Sequence, residues 1–542
     1  MSRRFQSCVA LATLGLAAAI LFGAVFSGCG PGKGARTNRP PSGDTRQPLL
    51  KGWKKPALAL IVSGEQHGHL EPCGCTAESR IGGFAHRADL IRRLREKRKW
   101  NVAGVELGGM IAGQRGPAIA ELRKQDELKL QAILSGLTQM GYVAAGLGKP
   151  ELQSITIHQK YFLLTQSNVL ADAKTDLPFV AANVDLAGSG PRKWHAETVG
   201  DTTVAVTAVF GKQFRRTILP TGTQSEVVIA DPEKALPSVI AAMKQAKPDL
   251  MVLLAFADKK TETRKLAKQF PDFDLIVTAG GQGDGTAEPE RVGKTAVVDV
   301  GIKGKHVGVV GFYPDAEKPA DRLRFELVEL DADRFADDPA MHELMKRYQK
   351  AIGDNLSAVF ADTLIKDHPS GATFVGVDSC KGCHTKAYNH WRKTKHAKAY
   401  ESLKKGRKGE EKNWISRHLD PECLACHVTG WHPQKVNRYG SGFLVEALAR
   451  SAGKPNLFKN LRGQQCENCH GPGSRHVDLE HKWRDNPDPT QNEAVRRSRQ
   501  AMKLTLDGIK QTRLCYQCHD LDNSPNFDFD KYWKDVEHKG KD

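Results

Sequence analysis

The chain has 542 residues, 40% of them hydrophobic, with 80 basic against 62 acidic side chains for a formal net charge of +18, and 12 cysteines. That length is too great for one hydrophobic core and predicts two or more domains. So large a positive charge raises nucleic acid as a partner, a class that the cysteine pattern excludes below.

The chain opens on a basic stretch with Arg3 and Arg4, followed by a nearly unbroken apolar run from Cys8 to Phe26. A basic start followed by an apolar run is an export signal. The run is just long enough to span a bilayer, but it ends in Phe26-Ser27-Gly28-Cys29, which resembles a bacterial lipobox. That resemblance implies residues 1–29 as a lipoprotein-type signal, lipidation of Cys29, and attachment to a membrane through the lipid. Residues 30–55 are rich in Gly, Pro, Arg and Lys and read as a flexible tether.

From Ala57 onward, short β-branched runs alternate with amphipathic stretches, the pattern of a layered α/β domain over 56–330. Strands are predicted at Ala57 to Ser63, Val102 to Leu107, Val143 to Leu147, Val204 to Phe210, Leu250 to Phe256 and Leu275 to Thr278, with helices at Phe84 to Glu96 and Glu121 to Met140. Ala296 to Phe312 reads as a hairpin turning at Lys303-Gly304-Lys305, and a last strand lies near Leu323 to Leu330. One loop packs Glu65, His67, His69, Glu71, Cys73 and Cys75 into eleven residues. Two histidines and two cysteines are able to bind a single soft metal; the same cysteines are able to form a disulfide or remain buried thiols in an oxidising compartment. Residues 331–370 read as a helical connector, with Met341, Leu344, Met345, Tyr348 and Ile352 on one face.

The last third carries the most specific signal. Cys-x-x-Cys-His occurs four times, as Cys380, Cys383 and His384; Cys423, Cys426 and His427; Cys466, Cys469 and His470; and Cys515, Cys518 and His519. Each copy supplies two thiols to bond covalently to haem vinyl groups and a histidine to ligate the iron. Zinc sites pair two half-motifs rather than repeat one pentapeptide. Four covalently bound haem c groups are therefore expected over 371–542. Five of the eight tryptophans lie there too, as large flat cofactors require. Residues 371–542 hold 31 basic and 21 acidic side chains, a surplus read as counter-charge to haem propionates and as a docking surface for other redox proteins; nucleic acid is not a partner. Haem is attached to this motif outside the cytoplasmic membrane, so motif and export signal agree on a periplasmic or cell-envelope location. Seven further histidines, His390, His396, His418, His432, His476, His481 and His538, are enough to close every haem as a bis-histidine centre.

Residues 57–330 resemble the metallophosphoesterase domain of the bacterial 5'-nucleotidase family. The resemblance rests on His67-Gly68-His69-Leu70-Glu71-Pro72, on Gly82-Gly83-Phe84-Ala85-His86-Arg87-Ala88, and on Met140-Gly141-Tyr142 leading into Gly146-Leu147-Gly148. It implies a four-layered α/β sandwich. Such enzymes hold two metals with Asp, His and Asn to generate hydroxide and clamp phosphoryl oxygens. Here the first Asp is Glu65, His67 is retained, the bridging Asp falls at Gly109, the Asn-His pair at Lys149-Pro150, a His at Phe256, and the final Gly-His-x-His near Gly281-Gln282-Gly283-Asp284. Most ligands are replaced, which implies an inactive phosphoesterase serving as scaffold or docking surface.

Residues 371–542 resemble the tetrahaem cytochrome c-554 family through Lys395-His396-Ala397-Lys398-Ala399, Cys426-His427-Val428-x-Gly430 and Gly463-x-x-Cys466-Glu467-x-Cys469-His470-Gly471-Pro472-Gly473. The resemblance implies a mainly helical, loop-rich domain that carries electrons, with the motif histidines as proximal ligands. It implies His476 as distal ligand at the first motif and His396 at the third, with the haem on His427 left open; His538 is the choice for the fourth, and His432 is the alternative that would close His427. The expected function is electron transfer between periplasmic or membrane redox partners. The alternatives are a haem enzyme acting on a small nitrogen compound, and a metal-dependent 5'-nucleotidase-like phosphoesterase coupled to a cytochrome. None of these features sets the oligomeric state.

Overall fold

Strand β1 (Leu58–Ser63) is buried at all six positions because it lies in the middle of a sheet covered on both faces, where a strand reads as a continuous apolar run rather than an alternation. The computed structural model describes residues 48–72, 81–112, 123–153, 177–186, 190–218, 227–279, 283–406 and 411–540. The export segment, Cys29, Cys73, Cys75, Gly281 and Gln282 lie outside them.

After β1 come α1 (Phe84–Glu96), β2 (Val102–Glu106), α2 (Lys124–Gln139), β3 (Tyr142–Ala145), β4 (His195–Val199), β5 (Thr202–Phe210), α3 (Pro232–Gln245), β6 (Leu250–Phe256), α4 (Arg264–Gln269), β7 (Leu275–Thr278), β8 (Glu290–Val292), β9 (Thr295–Val298), β10 (His306–Phe312) and β11 (Leu323–Glu329). The first sheet has the order β11-β10-β1-β2-β3 and the second β8-β9-β7-β6-β5-β4. Helices α1 and α2 pack on the first sheet. Leu236, Met243, Leu266 and Phe273 from α3, α4 and the turn after α4 close the second sheet's outer core with Leu253 and Ile276. The sheets meet face to face: an added Cβ at Gly146 would lie 3.3 Å from Ala208, and one at Gly109 3.4 Å from Phe256. This is the predicted four-layered α/β sandwich.

The predicted hairpin at Ala296 to Phe312 is absent. Strand β9 runs parallel to β7 in the second sheet, whereas β10 runs antiparallel to β1 and β11 in the first. Lys303-Gly304-Lys305 therefore carries the chain between sheets. A Gly-containing turn between two β-branched runs looks the same in sequence whether the runs pair with each other or elsewhere.

Helix α5 (Pro339–Asp354) starts with the Asp338 carboxylate accepting from the Ala340 and Met341 amides and with Pro at its first position, a strong helix start. It buries Met341, Leu344, Met345, Tyr348 and Ile352, the face read from the spacing, and packs on α1 and α2. Beyond α6 (Leu356–Ala361) the chain is short helices, turns and a small three-stranded sheet, with α7 (Thr385–Trp391), α8 (Ala399–Lys405), α9 (Pro421–His427), α10 (Cys466–His470), α11 (Ser474–Asp485), α12 (Asn492–Met502) and α13 (Phe529–Val536) among the helices. No helix among the described residues is long and apolar enough to cross a membrane.

Candidate multihaem site and an eroded metal site

Each Cys-x-x-Cys-His sits on one helical turn. The His384 amide donates to the Cys380 carbonyl and the His519 amide to the Cys515 carbonyl, both at 2.9 Å, while the second and third motifs lie in α9 and α10. Positions i, i+3 and i+4 of a helical turn share a face, so both thiols and the imidazole of each copy point to one side. The loop before the first motif is tied to the third by Glu467, whose buried carboxylate accepts from the Val375, Gly376 and Gly473 amides, at 2.7 Å from the last two. Glu467 occupies a variable position of the third motif, which hides its part in the fold from a reading of the sequence.

Three of the four motif histidines face a second histidine. His384 and His476 have ring centroids 6.3 Å apart, His470 and His538 5.8 Å, and His519 and His396 6.1 Å. Two imidazoles on one metal, each nitrogen about 2 Å from it and each ring centre about 1 Å further back, place the centroids about 6 Å apart. The residues therefore fit bis-histidine iron. His476 lies at the first motif. His396 and His538 are exchanged relative to expectation: His396 faces the fourth motif and His538 the third. Chain order could not reveal this, since His396 precedes both motifs and the choice depends on how α8 folds back.

Hydrogen bonds behind the imidazoles suit the same purpose. Nδ1 of His470 donates to the Met502 carbonyl at 2.6 Å, that of His427 to the Ala399 carbonyl at 2.7 Å, and that of His538 to the Val536 carbonyl at 3.0 Å. A backbone bond at Nδ1 sets the tautomer and orients Nε2 as the ligating nitrogen. Burial lowers the pKa of His396, His470 and His476, favouring neutral imidazole. Helices α7 and α11 bury no residue against protein, as expected of surfaces shaped to cover a cofactor.

His427 differs. Among the described residues no imidazole ring faces it. His432 holds a buried Nδ1 without a hydrogen-bond partner, on the short strand that follows α9. His418 engages Ser416 Oγ at 2.7 Å and stands edge-on to Tyr400, and His390 donates to the Asp535 carbonyl at 3.0 Å.

In the α/β domain the metal-loop positions are filled differently. The Glu151 carboxylate, 1% exposed, accepts from the amides of Gly148 at 2.8 Å, Gly109 at 3.0 Å, Met110 at 2.7 Å and Ile111 at 3.2 Å. It thus joins the loop at Gly109, Met110 and Ile111 directly to the turn at Gly148. Gly148 permits this approach: a Cβ there would lie 2.2 Å from the Gly109 nitrogen. The first loop is laced to the second by the Glu65 amide on the Gly108 carbonyl at 2.7 Å and the His67 amide on the Gly109 carbonyl at 2.9 Å. Among the described residues no group of three His, Cys, Asp or Glu is arranged to hold a metal; Glu65 and His67 approach to 4.0 Å. Burial and, next, Lys303 push the His67 pKa down to about 4, and burial with Lys129 does the same to His69. A carboxylate just past Lys149-Pro150 was the available sequence signal for Glu151.

This loop face meets the haem-motif region. Lys129 pairs with Glu422 at 2.6 Å, Arg417 with Glu71, and Lys303 and Lys305 with Asp522.

Fold and site together define a multihaem c-type cytochrome joined to a metallophosphoesterase-like α/β domain. Residues 379–471 match the family described as cytochrome c554 and c-prime. Cytochrome c-554 of Nitrosomonas europaea is 34% identical over 131 residues, 23% of this chain and 48% of that protein, so the chain spans about half the length of this relative. Solved structures similar to the chain include a 5'-nucleotidase precursor from Thermus thermophilus, at 16% identity and TM-score 0.43 over 64% of this chain and 68% of that one. The calcineurin-like phosphoesterase YfkN from Bacillus subtilis is 16% identical with TM-score 0.42, over 55% of this chain and 98% of that one.

Proposed function

We propose that the chain is an exported, lipid-anchored electron carrier of the periplasm or cell envelope, with four haem c groups on its four motifs. The observation that carries this is the set of three facing imidazole pairs, His384 with His476, His470 with His538 and His519 with His396. In this reading those pairs are proximal and distal ligands of three closed centres, and His427 is the proximal ligand of a fourth that is open. Haem supplies iron that changes by one electron at a time; the protein supplies the eight thiols, the imidazoles and their orientation.

The surplus of 31 basic over 21 acidic side chains in residues 371–542 supports docking of acidic redox partners. The α/β domain serves as scaffold in this reading, since Gly109 and Lys149-Pro150 stand where the resemblance places metal ligands and the Glu151 carboxylate is taken up by backbone amides. The test is the intact mass and electron paramagnetic resonance of the full-length holoprotein. Four haems, three low-spin and one high-spin, are expected, and fewer than four or a wholly low-spin spectrum overturns the assignment.

A second reading, chemistry on a small nitrogen compound at the haem on His427, is favoured by the lack of a facing imidazole among the described residues. It requires that nitric oxide shift the high-spin signal and that the protein turn over such a compound with an electron donor or acceptor.

A further inference from the structure

The seam between the α/β domain and the haem-motif region is centred on helix α9, which carries Cys423, Cys426 and His427. Asp420 caps this helix by accepting from the Glu422 amide at 3.0 Å. Its two oxygens also take amides from across the seam: Oδ1 accepts from Gln125 Nε2 at 2.8 Å and Oδ2 from Gln349 Nε2 at 3.0 Å. Asp420 is 4% exposed and Lys129 5%. Lys129 projects from α2, and its ammonium meets the Glu422 carboxylate, next to Cys423, at 2.6 Å. Burial disfavours this ammonium, but Glu422, Asp420 and Asp126 hold its pKa above the ordinary lysine value. A buried ion pair contributes little net stability after desolvation. What it does provide is a rigid attachment and a fixed charge, and a fixed charge near iron alters the balance of its oxidation states.

We propose that Lys129 of the α/β domain is a positioning residue for the haem on His427, holding α9 through Glu422 and balancing the carboxylates of Asp420 and Glu422 so that this one centre keeps its potential. The α/β domain is then more than a tethered scaffold: it tunes one of the four centres. The proposal rests on the assignment of His427 as the ligand of an open haem.

The test uses full-length holoprotein carrying Lys129→Met, Glu422→Gln or both, with the potential of the high-spin centre followed by spectroelectrochemistry. Lys129→Met removes the positive charge that balances the two carboxylates, favours ferric iron and lowers that potential. Glu422→Gln removes a negative charge and raises it. The double variant returns near the wild-type value, and the three low-spin centres stay in place in all variants. Single variants that leave the high-spin potential unmoved, or that shift it in the same direction, overturn the proposal, as does a common shift of every haem. Should Lys129→Met fail to accumulate, the sign of the Glu422→Gln shift decides alone. A wild-type protein without a high-spin haem overturns the underlying assignment and the proposal with it, whereas a high-spin haem of unmoved potential overturns the proposal only.

Discussion

Replacing Glu151 by Ala tests whether a carboxylate has taken over the role of joining the metal loops. The side chain accepts from four backbone amides at 2.7–3.2 Å. A hydrogen bond to a charged acceptor is worth roughly 1.5–3 kcal/mol, and stranding a buried donor costs about 1–3 kcal/mol. Four such terms do not add, because the donors share one carboxylate and the loops relax on truncation. Stranded amides at about 1–3 kcal/mol each, reduced by relaxation of the loops, set the scale, so about 4 kcal/mol is expected for Glu151→Ala. At roughly 2–3 °C per kcal/mol for a domain of this size, the α/β transition falls by about 10 °C. Glu151→Gln keeps the volume but loses the charge and one acceptor oxygen, and lies between the two. Differential scanning calorimetry of the holoprotein reads the shift, and the wild-type transition does not move with a chelator. A Glu151→Ala transition within about 2 °C of wild type, or a chelator effect as large as the substitution, refutes the carboxylate as the tie between the loops.

Glu106 is fully buried among Arg87, Ser63 and Tyr142, and burial, only partly offset by Arg87, raises its pKa to about 7. Its folded-state pKa lies above the unfolded one, so its contribution is complete below about pH 4.5 and is lost as pH rises through about 7, a change of about 3 kcal/mol. Glu106→Gln flattens that part of a pH series of denaturant midpoints; an unchanged slope counts against the assignment. Replacing His396 by Ala opens the centre at His519, raising high-spin iron from about a quarter to about a half of the total in paramagnetic resonance. A spectrum altered only at the third motif would restore the original pairing. Association with an acidic redox partner weakens steeply between about 50 and 500 mM salt, as steering by exposed charge requires; stopped-flow reduction rates insensitive to salt exclude basic docking.

The thiol and imidazole positions of the four motifs were legible because covalent attachment demands a fixed local spacing that one helical turn supplies. Local periodicity likewise showed α1 to the residue and the buried face of α5, since a helix encodes its own exposed and buried sides. Strands β4 and β8, half-exposed and polar, left no such trace. Which sheet β9 and β10 join, and which motif His396 and His538 serve, were not legible, because pairing across the fold is decided by chain reversals that no local pattern records.

The sequence alone determined the haem-binding motifs, a property of residue type and short spacing. Tertiary structure decided how those residues meet: Glu151 gathering four amides from two loops, His396 crossing to His519, and Lys129 reaching Glu422 from 293 residues away. Such contacts depend on burial and on the packing of distant segments, and the desolvation that gives each of them its effect exists only in the assembled fold.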